Sequence, residues 1–173
     1  MKRIFIVLIL VINSLVGFAQ ITRNVWGLEL GKSTKQQVIN VLKQKGYRPD
    51  TNNPSNSVTI KTENFKFGGG YWTYASFGFQ DGKLYEIWFQ NNHFENPVKN
   101  QDMFDLLKER LDSKYGLFRY YEFDKDESNL CYFDGDTYIW LNISYYEGVQ
   151  YVAIGYTDKK LWEQKLNDDE DEL

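Results

Sequence analysis

The chain has 173 residues and a formal net charge of −4, and 17% of its residues are aromatic. Nucleic-acid phosphates and anionic membrane surfaces both attract basic proteins, so the acidic balance argues against either as a partner. Cys131 is the single cysteine in the sequence, which excludes an intramolecular disulfide and leaves packing as the source of stability.

Residues 1–19 have the pattern of a secretory signal peptide. Two basic residues precede an apolar run over residues 4–12, and Gly17 and Ala19 supply the small residues of a cleavage site. The run is shorter than the roughly 20 residues that span a bilayer. We therefore expect cleavage near Ala19 and a periplasmic or secreted protein without a transmembrane anchor. No cysteine stands at the cut, so we expect no lipid anchor.

The letters Gly31, Lys32 and Ser33 look like the end of a phosphate-binding loop. That loop has four residues between its two glycines, whereas three separate Gly27 from Gly31. The loop should also follow a buried hydrophobic strand, and the preceding residues 23–26 are few. The sequence therefore predicts a helix start here and no nucleotide site.

The helix that follows can begin at either of two capping residues. Ser33 with Gln36 and Thr34 with Gln37 both have the spacing of a capping box. Apolar residues at helical spacing continue to about residue 45, and Gly46 then ends the helix.

Three strands are predicted next, over residues 58–67, 71–80 and 83–90. Asp81 and Gly82 between the last two are a strong hairpin signal. In a regular hairpin Leu84 and Ile87 would lie on opposite faces, because they are three residues apart. A β-bulge near Tyr85 would place both on one face.

The same order then begins again. A helix is predicted over residues 101–114, followed by strands at 117–123, 137–146 and 149–157, with an additional strand possible at 130–133. Residues 20–166 are therefore expected to form a single α+β domain of two tandem repeats, at about 27–92 and 99–158. Each repeat is a helix plus an antiparallel β-meander, and the helices pack on one face of the antiparallel sheet. After a short helix, residues 167–173 are expected to be an acidic disordered tail.

The last hairpin can be aligned residue by residue if Glu147 and Gly148 form a two-residue loop. Its core face then carries the pairs Ile143 with Val152, Leu141 with Ile154 and Ile139 with Tyr156. Its other face carries Tyr146 with Val149, Ser144 with Tyr151, Trp140 with Gly155 and Tyr138 with Thr157.

Large rings therefore share the face that points away from the core. The predicted binding residues are Tyr138, Trp140, Tyr146, Tyr151, Trp72 and Trp88. Rigid aromatic side chains on a sheet supply contact area for a protein, an envelope component or a glycan. The alternative is structural, with the rings covering glycines and packing under helices.

Catalytic and metal-binding patterns are sparse. His93 is the single histidine and lies in an Asn-rich segment typical of an exposed loop. The acidic pairs at 124 and 126 and at 134 and 136 could bind calcium, but they fall where turns between strands are expected. We predict no cofactor, no metal ion and a protein that is not an enzyme; the alternative is a small enzyme or ligand carrier with a pocket between helix and curved sheet.

The stretch Gly31 to Val38 reads Gly-Lys-Ser-Thr-Lys-Gln-Gln-Val and stands at the start of a helix that precedes a meander. With its two helix-plus-meander units, the chain resembles the β-lactamase-inhibitor-protein-like (BLIP-like) fold and the BamE (SmpA/OmlA) module. That resemblance implies a binding or scaffolding role in the cell envelope without catalysis.

Overall fold

The computed structural model describes residues 20–52, 56–91, 97–121, 128–146 and 149–171. The predicted signal peptide, His93, the acidic pair at 124 and 126 and the loop at 147–148 lie outside the described residues. Tyr146 is described by its backbone alone.

The fold is α+β, and its main sheet has six antiparallel strands in the order β3-β4-β5-β8-β7-β6. The elements in chain order are β1 (Asn24–Val25), β2 (Leu28–Glu29), α1 (Lys35–Gln44), β3 (Ser57–Phe67), β4 (Gly70–Gln80), β5 (Lys83–Asn91), α2 (Pro97–Tyr115), β6 (Asn129–Phe133), β7 (Thr137–Tyr146), β8 (Val149–Asp158) and α3 (Lys159–Asp171). Strands β1 and β2 form a separate two-stranded sheet.

Helix α1 begins at Thr34, one of the two predicted caps. The Thr34 amide donates to Gln37 Oε1 at 2.8 Å and the Gln37 amide donates to Thr34 Oγ1 at 3.4 Å, which completes a capping box. Ser33 is not the cap, because its hydroxyl accepts a hydrogen bond from the Glu29 amide at 2.8 Å. Gly46 follows the helix with φ of +84°, where glycine is favoured.

The predicted bulge in the β4–β5 hairpin is confirmed. Phe79 pairs with Leu84 but Gly78 pairs with Glu86, so Tyr85 is the extra residue. As a result Leu84 and Ile87 are both completely buried on the core face. The bulge also turns Glu86 to the opposite face of the sheet, where its neighbours are polar and aromatic.

The predicted register of the β7–β8 hairpin is confirmed at all seven pairs. Its core face is buried against α2, whose side chains Phe104, Leu107 and Leu111 belong to the same hydrophobic core. The additional strand at 130–133 is also present, as β6.

The strand predicted over residues 117–123 is wrong in its described part. A short 3-10 helix, Gly116–Phe118, follows α2 instead. Leu117 and Tyr121 are 89% and 74% exposed, so although Phe118 packs partly against the core and Arg119 forms an isolated bridge with Tyr132, the segment has no continuous buried face. Strand propensity depends on such packing, and here it is not realised.

The helices do not all lie on one face, which corrects the predicted layering. Helices α1 and α2 pack on the core face. Helix α3 lies against the other face, where Trp162 contacts Tyr138. Tyr138 points to that face because the next residue of the strand, Ile139, points into the core. The two faces of the sheet are therefore both covered, but the second is covered only in part.

Helix α3 also corrects the predicted tail, because the helix continues through residues 167–171. Asp158 caps its start by accepting from the Leu161 amide at 2.9 Å. Near its end Asp168 accepts a hydrogen bond from Gln80 of β4 at 2.5 Å. The acidic residues after position 166 thus continue the helix, which is held at its start by Asp158 and near its end by the hydrogen bond between Gln80 and Asp168.

Candidate ligand-binding cavity

The face of the sheet opposite the core is called here the outer face. Its side chains follow from strand pairing, because alternate residues of each strand point to it. Thr157 lies opposite both Glu86 and Tyr138, and in the next row Gly155 lies opposite both Trp88 and Trp140. Cys131 of β6 pairs with Trp140 at the far end of that row.

Gly155 lets the Trp140 ring lie on the strand backbone. A Cβ atom at this position would be 2.2 Å to 2.5 Å from three atoms of the Trp140 ring. Any other residue would therefore displace the ring. A ring that covers a glycine is what the structural alternative to a binding face predicted. The Trp140 ring nevertheless also lies beside a cavity.

Helix α3 forms a second wall of aromatic side chains. The Trp162 ring meets the Tyr138 ring edge-on, with centroids 5.9 Å apart and planes at 76°. Tyr138 in turn stacks on Phe133, with a centroid distance of 4.3 Å and an angle of 16°. The stack fixes the Tyr138 ring in place between the sheet and the helix.

The space between these walls is a cavity of about 460 Å³. Four strands each contribute a polar side chain to its lining, namely Glu86 of β5, Asn129 of β6, Asn142 of β7 and Thr157 of β8, and Cys131 of β6 contributes a thiol. The lining residues are Glu86, Asn129, Leu130, Cys131, Tyr138, Trp140, Leu141, Asn142, Thr157 and Trp162. The Asn142 and Asn129 side-chain amides are hydrogen-bonded to each other, so they form one polar edge.

Glu86 is the acidic member of this lining. Burial raises its pKa from 4.5 to about 7, while a hydrogen bond from Thr157 and the charge of Lys165 oppose the shift. Burial also raises the pKa of the Tyr138 phenol. The cavity therefore holds a carboxyl group that changes charge near neutral pH.

The six predicted binding residues do not all line the cavity. Tyr138 and Trp140 line the cavity. Trp88 and Tyr151 share the outer face, half-buried, but they are not part of the cavity lining. The Tyr146 side chain lies outside the description.

Trp72 is on the core face, which corrects its predicted place on the outer face. It is completely buried, and its indole donates to the Phe67 carbonyl at 2.8 Å. The β3–β4 ladder is irregular between Lys61 and Phe65, opposite this part of β4. On the far side of this irregularity Trp72 pairs with Phe65, which is also completely buried in the core.

Sequence reasoning missed Glu86 and Trp162, and it placed Thr157 on the correct face without including it among the binding residues. The position of Glu86 could have been inferred from the predicted bulge. Without the bulge Glu86 would pair with Phe77 on the core face, whereas with it Glu86 pairs with Gly78 on the outer face. Its place opposite Thr157 depends on the pairing of β5 with β8, which are far apart in the chain. Trp162 lines the cavity because α3 crosses to the outer face.

The other candidate sites have structural explanations. Asp134 accepts hydrogen bonds from the amides of Ile21 at 2.8 Å and Thr137 at 2.9 Å, as a turn residue does. Within the described ranges, no three His, Cys, Asp or Glu side chains are arranged to hold a metal ion. Gly31, the glycine of the apparent phosphate loop, contacts the partly buried ion pair between Arg23 and Asp158.

None of the helices in the described part of the chain combines the length and apolarity needed to cross a membrane. Neither a protein-family model, nor a curated protein, nor a solved structure matches the chain.

Proposed function

We propose that the protein is an exported, non-catalytic binding module that receives an apolar or aromatic group of its partner in the outer-face cavity. The observation that carries the proposal is the cavity itself, about 460 Å³ between the sheet and α3 with Tyr138, Trp140 and Trp162 in its lining. Cavities of several hundred Å³ with mostly apolar walls and a few polar groups are typical ligand sites.

The export part of the proposal rests on the pattern of residues 1–19. The expected mature protein begins at Gln20 in a periplasm or outside the cell. Its partner is a protein, an envelope component or a glycan that presents the bound group.

The duplication part rests on element order. Helix α1 precedes the meander β3 to β5, and α2 precedes the meander β6 to β8. The last strands of the two meanders, β5 and β8, pair in the middle of the sheet. This order supports descent from one duplicated unit and the resemblance to BLIP-like and BamE-like modules.

The proposal is tested with N-phenylnaphthylamine, a neutral apolar probe whose fluorescence rises in an apolar site. Trp140→Ala removes a wall of the cavity, and Trp88→Ala is the matched control, because both rings flank Gly155 and only Trp140 is in the lining. We expect Trp140→Ala to weaken binding by about tenfold, or ~1.4 kcal/mol. Trp88→Ala should change it by less than about twofold.

Circular dichroism confirms that both variants are folded. Absence of fluorescence enhancement with the native protein, or an equal loss in both variants, contradicts the proposal.

A second candidate function is a small enzyme, and Glu86 favours it. A carboxyl group whose pKa is about 7 can act as a general acid or base near neutral pH. The described lining supplies this one acidic side chain, whereas acid–base hydrolysis by carboxylates uses a pair. The binding function therefore ranks first.

A further inference from the structure

We propose that the cavity selects a positively charged organic group, an alkylammonium headgroup, which the aromatic walls surround and the Glu86 carboxylate neutralises. This inference rests on the proposed function, because it names the chemical class of the group that the cavity receives. It depends on two kinds of side chain that meet in one lining, the three rings and the acid.

The rings supply the first part of the recognition. The face of an aromatic ring carries negative electrostatic potential and attracts a cation, most strongly for tryptophan. Trp140 lies over Gly155 on the sheet, and Trp162 meets Tyr138 at 76°. Two of the rings are therefore nearly perpendicular, and the third lies on the sheet in the lining of the same cavity.

Glu86 supplies the second part. It lies one row from Trp140, opposite Thr157, whose hydroxyl stabilises the carboxylate. Burial destabilises the ionised carboxylate more than the Thr157 hydrogen bond and the Lys165 charge stabilise it, so the pKa of Glu86 is about 7. A ligand cation beside the carboxylate would supply the missing counter-charge, which a neutral ligand could not.

The charged and titratable groups around Glu86 set the limits of this effect. Lys159 and Glu163 of α3 form an ion pair at 2.6 Å and so compensate each other. The phenol of Tyr138 on β7 and the thiol of Cys131 on β6 line the same cavity. Lys165 of α3 is a cation whose charge acts on Glu86, and a bound ammonium group would compete with it.

The test compares choline with dimethylbutanol, the neutral isostere in which a carbon replaces the nitrogen. Calorimetry at pH about 8, one unit above the Glu86 pKa of about 7, keeps the acid ionised. We expect choline to bind the native protein about tenfold more tightly than dimethylbutanol. The preference should fall to less than about twofold in Glu86→Gln, and choline binding should weaken as the pH falls below about 7.

Glu163→Gln is the matched control, because Glu163 is an acid of α3 that pairs with Lys159 and is outside the lining. It should leave the preference for choline unchanged. Equal binding of the two probes, or a preference that survives Glu86→Gln, overturns the inference.

Failure of this inference is distinguishable from failure of the proposed function. If N-phenylnaphthylamine binds in the cavity and choline does not, the cavity is a binding site for neutral groups and the inference is wrong. If neither probe binds, both proposals are wrong.

Discussion

Glu86 shows how one residue couples the site to the stability of the fold. Its side chain is held in an apolar environment because the bulge at Tyr85 turns it to the outer face and α3 then covers it. The folded state disfavours the carboxylate, whereas the unfolded chain solvates it. The burial on which the proposed role of Glu86 depends therefore has a cost in stability above the pKa that Glu86 has in the unfolded chain.

Glu86→Gln should remove that cost. Because the pKa of Glu86 is raised from 4.5 to about 7, its favourable contribution is complete below about pH 4.5 and is lost as the pH rises to about 7. The free energy of unfolding of Glu86→Gln, relative to the native protein, should thus increase by about 2–3 kcal/mol between pH 4.5 and pH 8. Urea denaturation at several pH values measures it. A difference that does not change with pH would contradict the assigned burial of the acid.

At the scale of elements, the position of α3 decides whether there is a cavity. Its first turn is fixed by Asp158, which caps the helix and forms a partly buried ion pair with Arg23. Arg23 also donates to the Leu30 carbonyl at 3.2 Å, so it joins the segment before α1 to the start of α3. Loss of Asp158 should therefore release one wall of the site.

Asp158→Ala should destabilise the protein by about 2 kcal/mol, because it removes both the N-cap of α3 and the carboxylate partner of the partly exposed Arg23. Asp158→Asn keeps an N-cap acceptor and should cost about 1 kcal/mol less. Amide hydrogen exchange should show loss of protection in α3 before the sheet. The control Glu29→Ala breaks an exposed ion pair with Lys32 and should cost under about 1 kcal/mol. Equal costs for Asp158→Ala and Glu29→Ala would contradict the anchoring role.

The elements that sequence reasoning predicted correctly are those that depend on near neighbours. The capping box at Thr34 and the register across residues 147–148 follow from local spacing, and the bulge at Tyr85 follows from the positions of Leu84 and Ile87. Pairing of β5 with β8 and the docking of α3 join distant parts of the chain. No local pattern specifies them, so two of the aromatic walls were anticipated and Glu86 and Trp162 were not.

At the scale of the whole molecule, the two faces of the sheet have different uses. The core face packs against α1 and α2, and it buries Trp72 together with Phe65, Phe77, Phe79 and Phe89. The outer face carries one helix, which leaves the rings of β7 beside an open space. We infer that stability resides on the first face and binding on the second.

The most direct test of this account follows the indole N–H signals of the five tryptophans by NMR during titration with N-phenylnaphthylamine. Two of these indoles, Trp140 and Trp162, line the cavity. The account predicts that their signals shift together with a single dissociation constant, while those of Trp26, Trp72 and Trp88 stay in place. Shifts confined to Trp88, or equal shifts at all five indoles, would contradict binding in the outer-face cavity.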